Sequence, residues 1–134
     1  MEIDLVREKI FVICPVRNIT PDIKLSLENF VLNLVKDYDV HYPAWDTDQD
    51  NDPAGMRICN DNKRAIQLAD GIVIAWDGKS HGSLFDFGMV FCLQKRVALI
   101  PVPGLYPVKT EGKSFSNMLL AYADTFPFKL KHSS

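Results

Sequence analysis

Residues 71–100 read GIVIAWDGKSHGSLFDFGMVFCLQKRVALI, and this stretch decides the fold class. It opens with an unbroken apolar run, residues 71–76, that is rich in β-branched residues, as is typical of a strand buried on both faces of a parallel sheet. An Asp-Gly turn and an almost wholly apolar segment, residues 84–93, follow before a second apolar run at residues 97–100. The order strand, helix, strand predicts a βαβ unit.

One carboxylate, Asp86, lies inside the apolar segment of this unit. Ligands of open parallel sheets bind beyond the carboxyl ends of the strands, so residues 77–86 lie where a site is expected. On a helix Asp86 shares a face with Val90 and Leu93, which predicts a side chain directed at the interior or at a cleft. A carboxylate there needs polar partners or a raised pKa. The alternative is a capping box in which Ser83 and Asp86 satisfy free amides at the helix start.

The first third of the chain predicts two strands joined by a helix. Residues 9–14 form an apolar run that a proline stops, which indicates the first strand. Thr20 is a good N-cap and Pro21 suits the first helical position, so we expect a helix that ends near residue 36. A short strand at residues 39–42 follows.

The most polar stretch, residues 44–52, carries alternating aspartates that resemble a calcium loop. No register of this stretch gives both the glycine at position six and the glutamate at position twelve that an EF-hand loop needs. We therefore expect no metal in this protein. A mobile loop or lid over the edge of the sheet is the interpretation that the stretch favours.

A second acid, Asp61, lies in a helix that the sequence predicts over residues 53–69. Ile58, Ala65 and Leu68 form one apolar stripe on this helix, and Asp61 falls on the same stripe. A second acid on an apolar helix face suggests a functional group. The alternative is an ion pair with an arginine one turn away on the same helix.

The last third of the chain predicts a helix and a fifth strand. Residues 114–123 carry apolar side chains at helical spacing, so we expect a helix that packs on the sheet. Residues 126–130 predict a short edge strand, because a proline is tolerated where a strand does not donate to a ladder. The tail from residue 131 is expected to be disordered.

Composition limits the size of the protein and its partners. The chain has 134 residues, of which 47% are hydrophobic and 24% charged, so we expect a single domain over residues 1–134 with one core. A net charge of -2 and the lack of a run of basic residues argue against a nucleic-acid partner. A helix needs about 18 consecutive apolar residues to cross a bilayer, and no stretch is that long, so no membrane partner is expected.

The cysteines and the first residues indicate the compartment. Cys14, Cys59 and Cys92 are odd in number and lack C-x-x-C spacing, so we expect buried free thiols and a reducing environment. Residues 1–4 are acidic and lead into no long apolar segment of the kind that signal peptides contain. These features predict a cytoplasmic protein.

Three short motifs together carry a resemblance. They are IFVICPVR at residues 10–17, the stretch from Asp61 to ADGIVI at residues 69–74, and GSLFDFG at residues 82–88 with the following KRV. These motifs resemble the nucleoside 2-deoxyribosyltransferase family, which includes the deoxynucleoside 5'-monophosphate N-glycosidases. The resemblance covers roughly residues 9–101, and the third motif is the most specific of the three.

This resemblance implies a flavodoxin-like, doubly wound, mostly parallel sheet of five strands with helices on both faces. It also implies cleavage or transfer at the N-glycosidic bond of deoxynucleosides or their 5'-monophosphates. A family glutamate that matches Asp86 attacks the anomeric carbon, and an aspartate that aligns with Asp61 assists protonation of the base. Such chemistry suits a carboxylate that traps an oxocarbenium-like centre and a second acid that protonates the leaving group.

Three positions depart from the family pattern. Asp86 is one methylene shorter than the glutamate, and a retreat of about 1 Å costs on the order of 100-fold where near-attack geometry is lost. Ser80 stands where transferases usually carry an aspartate, and Phe11 stands where a tyrosine is often found. These departures favour an alternative reading, a nucleotide-binding module that has lost turnover.

The resemblance further implies contacts to a small-molecule nucleoside or nucleotide. The monophosphate N-glycosidases place an arginine at the loop of Arg17, where a guanidinium can pair with a phosphate, and Ser83 and the amides that open its helix favour an anion. The alternatives are an exposed loop cation for Arg17 and a bystander in the turn for His81. The candidate substrate-binding residues are Phe11, Arg17, Ser80, His81, Gly82 and Ser83. The resemblance implies a homo-oligomer, and we expect no cofactor.

Overall fold

A computed structural model describes residues 6–131, so the predictions for the acidic start and for the tail beyond residue 131 lie outside the described residues. Within this range four strands and five helices follow one another. Their order is β1 (Lys9–Ile13), α1 (Pro21–Leu34), β2 (Asp39–His41), α2 (Pro43–Asp46), α3 (Met56–Leu68), β3 (Gly71–Ile74), α4 (His81–Leu93), β4 (Val97–Leu99) and α5 (Phe115–Thr125). Between residues 6 and 131 no helix has the length and apolar character to span a membrane.

The four strands form one parallel sheet in the order β2-β1-β3-β4. Phe11 of β1 pairs with His41 of β2 on one side and with Ile72 of β3 on the other. This order is consistent with a flavodoxin-like fold, whose sheet runs 2-1-3-4-5. The strand order reverses between β1 and β3, so the loops that follow these two strands flank the switch point where such folds bind ligands.

The predicted fifth strand is wrong, because residues 126–130 contribute only one parallel bridge between Pro127 and Val97. The amide of Val97 donates to the carbonyl of Phe126 at 2.8 Å, and the amide of Phe128 donates to the carbonyl of Val97 at 3.0 Å. Beyond this bridge Phe128 and Leu130 pack against the core on the α1 side of the sheet. Packing of these two partly buried side chains draws the chain away from the edge of β4 before a ladder forms.

Helices cover both faces of the sheet, as expected. On one face α1 buries Leu27, Val31 and Leu34 against the strands. The other face is packed by α3, α4 and α5. Successive residues of β1 alternate between the two faces, with Val12 in the α1-side core and Phe11 in the opposite core, and both are fully buried.

Hydroxyl caps fix the starts of α1 and α4. The hydroxyl of Thr20 accepts a hydrogen bond from the amide of Ile23 at 3.3 Å, which confirms the predicted helix start. In α4 the cap is Ser80, whose hydroxyl accepts from the amide of Ser83 at 3.3 Å. The helix therefore begins three residues earlier than expected, Ser83 and Asp86 lie within it, and the capping-box alternative for this pair is wrong.

The buried face of α3 differs from the predicted stripe. Asn62 and Ile66 are the buried residues of this helix, whereas Leu68 is 56% exposed. Asp61 is exposed, and its carboxylate lies 3.4 Å from the Arg57 guanidinium, as the ion-pair alternative predicted. A polar residue at the centre of the buried face hid the true apolar periodicity of the helix.

The acidic stretch is bound to the rest of the fold through its own aspartates. Residues 43–46 form the single turn of α2. The carboxylate of Asp52 accepts a hydrogen bond from the amide of Ile58 at 2.8 Å, and the Arg57 guanidinium donates to the carbonyl of Asp50 at 2.6 Å. Across residues 6–131 no group of three histidine, cysteine or acidic side chains is arranged to hold a metal ion.

The three cysteines are free, but they differ in exposure. Cys14 is buried, Cys59 is half-buried and Cys92 is exposed. The expectation of buried thiols therefore holds for Cys14 at the end of β1 and is wrong for Cys92. The apolar neighbours of Cys92 in the sequence belong to a helix whose outer face is itself apolar, with Phe85 and Phe91 both at least half exposed.

Candidate active site

A cavity of about 610 Å³ lies beyond the carboxyl ends of β1 and β3, at the switch point of the sheet. Four parts of the chain form it: the end of β1 with the loop that follows, the segment from α2 into the acidic stretch, one face of α3, and the loop and first turns of α4. Its described lining residues are Val12, Cys14, Val16, Arg17, Asn18, Pro43, Gln49, Ile58, Asn62, Asp77, Lys79, Ser80, His81, Gly82, Ser83 and Asp86.

Asp86, in the second turn of α4, presents its carboxyl group to this cavity. Burial raises the pKa of Asp86 from its ordinary 3.8 to about 7, and a hydrogen bond with the Asn62 side chain opposes part of that rise. Burial acts in this direction because a low-dielectric environment disfavours the charged form. Near neutral pH Asp86 is therefore present partly as the carboxylate and partly as the carboxylic acid.

A chain of buried polar groups leads away from Asp86. Asn62 is 7% exposed and Thr47 is 4% exposed, and the Thr47 hydroxyl donates to the Asn62 side-chain oxygen at 2.9 Å. The Nε2 atom of His41 lies 2.7 Å from the same hydroxyl. The ring of His41 stacks on Phe11 with 5.3 Å between the ring centroids. Burial lowers the pKa of His41, while Asp46, Asp61 and Asp39 act in the opposite direction.

The loop that enters α4 is held by a carboxylate. Asp77 accepts hydrogen bonds from the amides of Lys79 at 3.0 Å and Ser80 at 2.8 Å. Gly78 within this turn has a φ of +80°, a left-handed conformation that glycine adopts without a steric penalty. The turn thereby presents the first amides of α4 to the cavity.

The start of α4 has the features of an anion site. The Ser83 side chain is 3% exposed and lines the cavity, and its oxygen has no hydrogen-bond partner among residues 6–131. The first turn of a helix carries free amides and a partial positive charge. Arg17 and Lys79 line the same cavity from the two loops beside it.

A buried thiol, Cys14, also lines this cavity. Burial raises the pKa of Cys14 to about 12, although a hydrogen bond with Tyr42 partly opposes this. The thiolate is the nucleophilic form of cysteine, and so high a pKa leaves almost none of it at neutral pH. Asp86 is therefore the better nucleophile of the two.

The structure gathers six of the eight residues that the sequence predicted for the site. Those that line the cavity are Arg17, Ser80, His81, Gly82, Ser83 and Asp86. Asp61 is not among them, because its side chain pairs with Arg57 on the outer face of α3. Phe11 also lies outside the cavity, since it is fully buried in the core on the α3, α4 and α5 side.

Sequence reasoning missed Asn62, which faces Asp86 in place of its neighbour Asp61. The signal for it was weak but present: Ile58, Asn62 and Ile66 follow one another at intervals of four, so an apolar stripe contains one amide. Thr47 was missed because it lies in the acidic stretch and is buried only through contacts made by the folded chain.

Neither comparison with models of known protein families nor comparison with curated proteins finds a match for this chain.

Proposed function

We propose that this protein cleaves or transfers the N-glycosidic bond of deoxynucleosides or deoxynucleoside 5'-monophosphates, with Asp86 as the nucleophile. One observation carries the proposal: a carboxyl group whose pKa is about 7 faces a cavity at the switch point of a parallel sheet, beside the start of a helix. A perturbed carboxyl group in a cleft is a feature that catalytic sites share. The choice of the N-glycosidic bond rests on the family resemblance of the motifs around Asp86.

The chemistry follows from the ionised form of Asp86. Its carboxylate attacks the anomeric carbon of the deoxyribose, and the N-glycosidic bond breaks with its electron pair leaving on the base, which takes up a proton. The product is a glycosyl ester on Asp86. Water then attacks the anomeric carbon in hydrolysis, or a nitrogen of a second base attacks it in transfer, and the carboxylate is released.

Asp61 has no part in this mechanism, because its carboxylate is exposed and paired with Arg57. The acidic residues among the described lining of the cavity are Asp77 and Asp86, and Asp77 accepts two loop amides. His81, the first residue of α4, lines the cavity and bears an imidazole that can transfer a proton. We assign protonation of the leaving base to His81 or to water.

The preferred substrate class is the 5'-monophosphate. A phosphate needs hydrogen-bond donors and positive charge, and the start of α4 offers both through its free amides and the unpartnered hydroxyl of Ser83. Arg17 and Lys79 add two cations to the same cavity. A nucleoside without phosphate leaves the buried Ser83 hydroxyl without a partner.

Two further parts of the proposal concern assembly and location. The resemblance implies a homo-oligomer, and a second groove of about 850 Å³ between α4 and α5 offers exposed apolar side chains for it, among them Phe91, Phe115 and Met118. We place the protein in the cytoplasm, because three free cysteines suit a reducing compartment.

The alternative function is nucleotide binding without turnover. The observation that favours it is the absence of a second free acid among the described residues of the cavity, since Asp61 lies outside and Asp77 is bonded to its own loop. An aspartate in place of the family glutamate adds to this view. Such a protein binds nucleotides and releases no base.

Base release from a panel of deoxynucleosides and their 5'-monophosphates, followed by chromatography, tests the proposal. Wild-type protein should release base, and Asp86→Asn should release none. Asp124→Asn is the matched control, because it makes the same change at an exposed position on α5. Thermal stabilisation by nucleotides without base release would support the binding module instead.

A further inference from the structure

Three buried polar side chains stand out from the apolar core of the described chain, namely Thr47, Asn62 and Ser83. Ser83 belongs to the proposed anion site, but neither Thr47 nor Asn62 has a part in the proposed chemistry. Burial of an amide or a hydroxyl is unfavourable unless it is hydrogen-bonded, so this pair needs an explanation. They are joined to each other by a hydrogen bond of 2.9 Å, and Asn62 lines the same cavity as Asp86, whose pKa its side chain lowers.

The number of protons on each group determines which atom donates in each of these hydrogen bonds. The Thr47 hydroxyl has one proton, and it donates that proton to the Asn62 side-chain oxygen. Towards His41 the hydroxyl oxygen must then accept, so the Nε2 atom of His41, 2.7 Å away, carries a proton. With its oxygen bonded to Thr47, Asn62 keeps its NH₂ group to donate, and a donor is the partner that lowers the pKa of a carboxyl group, as Asn62 does for Asp86.

We infer that Asn62 is a positioning residue for the nucleophile, and that Thr47 and His41 fix its amide so that the NH₂ group faces the Asp86 carboxylate. The inference rests on the proposed function for the role of Asp86. A donor favours the ionised carboxylate, which is the nucleophilic form, and it restricts the carboxylate to one orientation.

The reversed arrangement shows why the orientation matters. If the Asn62 amide turned over, its oxygen would face Asp86 and accept a hydrogen bond from the carboxylic acid. The Thr47 hydroxyl would then accept from the Asn62 NH₂ group and donate to an unprotonated Nε2 of His41. The tautomer of His41 is thereby linked to the protonation of Asp86 through two intervening side chains.

Other ionisable groups also face Asp86, and a test must separate them from the path. They are Cys14 at the end of β1, Cys59 on α3, Arg17, Asp77 and Lys79 in the loops, and His81 at the start of α4. Around His41 they are Asp39, Asp46 and Asp61. A change at Thr47 leaves all of these groups in place, because it removes one neutral hydroxyl.

Thr47→Val is therefore the informative variant, with Thr47→Ser as the control that keeps the hydroxyl. Carboxyl ¹³C NMR reports the titration of Asp86, whose signal is assigned by its loss in Asp86→Asn. We expect Thr47→Val to raise the pKa of Asp86 by roughly one pH unit, since the donor loses its fixed orientation. The acid limb of the kcat profile should move by the same amount with KM unchanged, and Thr47→Ser should match the wild type.

The NMR titration keeps this inference separate from the proposed function. An unchanged Asp86 titration in Thr47→Val overturns the positioning role, even if the protein releases base. A raised Asp86 pKa in a protein that releases no base supports the positioning role and rejects the glycosidic activity. Should Thr47→Val fail to fold, His41→Phe tests the same path, because it keeps a ring that can stack on Phe11 but removes the donor to Thr47, and an unchanged titration again overturns the role.

Discussion

Asp86 should destabilise the folded protein at neutral and alkaline pH, and Asp86→Asn should relieve that cost. The pKa of Asp86 rises from 3.8 to about 7 on folding. A group whose pKa is raised in the folded state stabilises that state fully below pH 4, and this contribution is lost as pH rises towards 7. Above pH 7 the carboxylate therefore lowers the free energy of unfolding relative to a neutral side chain.

The magnitude follows from the two pKa values. A rise of about three pH units corresponds to about 4 kcal/mol at roughly 1.4 kcal/mol per unit. Because Asp86 borders an open cavity, water reduces this figure, and we expect Asp86→Asn to raise the free energy of unfolding by about 2–4 kcal/mol at pH 8. At pH 4 the wild type and the variant should be almost equally stable.

Urea unfolding at pH values from 4 to 9 measures this difference, with Asp124→Asn as the exposed control on α5. The gap between Asp86→Asn and the wild type should open between pH 4 and 7 and then stay constant, while the control shows no gap. A gap that is the same at every pH would refute the reasoning. It would mean that Asp86 titrates alike in the folded and unfolded chains.

Three more predictions concern other parts of the molecule. Ser83→Ala removes a buried hydroxyl without a described partner, so it should leave stability within about 1 kcal/mol and raise KM for monophosphates but not for nucleosides in steady-state assays. Gly71→Ala should lower the free energy of unfolding by about 1–3 kcal/mol in urea titrations, because its Cβ would lie 2.5 Å from the Phe128 ring, and Phe128→Leu should reduce that loss. Phe115→Ser should weaken self-association in sedimentation experiments, whereas the equally exposed Leu25→Ser on α1 should not.

Local chemistry explains the parts of the fold that the sequence predicted. The start of α1 depends on Thr20, whose hydroxyl bonds an amide three residues away. The βαβ unit of residues 71–100 was visible because strands buried on both faces are continuous apolar runs. The prediction of a fifth strand was wrong because the packing of Phe128 on the α1 side depends on the assembled core. No pattern within residues 126–130 indicates that contact.

The candidate site also contains residues that the sequence predicted and residues that it did not. Asp86 could be predicted from one observation, an acid within an apolar helix that follows a buried strand. Asn62 could not, because an asparagine on a helix usually faces solvent, and its burial depends on Thr47, 15 residues earlier, and on Asp86. The sequence pattern indicated Asp61, which is adjacent to Asn62 on the helix. Asp61 forms an exposed ion pair, whereas Asn62 is the buried side chain.

The destabilisation that ionised Asp86 causes in the folded protein helps to distinguish an enzyme from a binding module. A carboxylate beside the start of α4 repels a bound phosphate and lowers the stability of the fold. A protein that only bound nucleotides would gain on both counts from a neutral side chain at this position. The presence of an acid here, together with an interaction with Asn62 that favours its ionised form, is expected where the carboxylate reacts. Asp86→Asn should therefore bind a deoxynucleoside monophosphate more tightly than the wild type in calorimetry, while it releases no base, and weaker binding by this variant would contradict the argument.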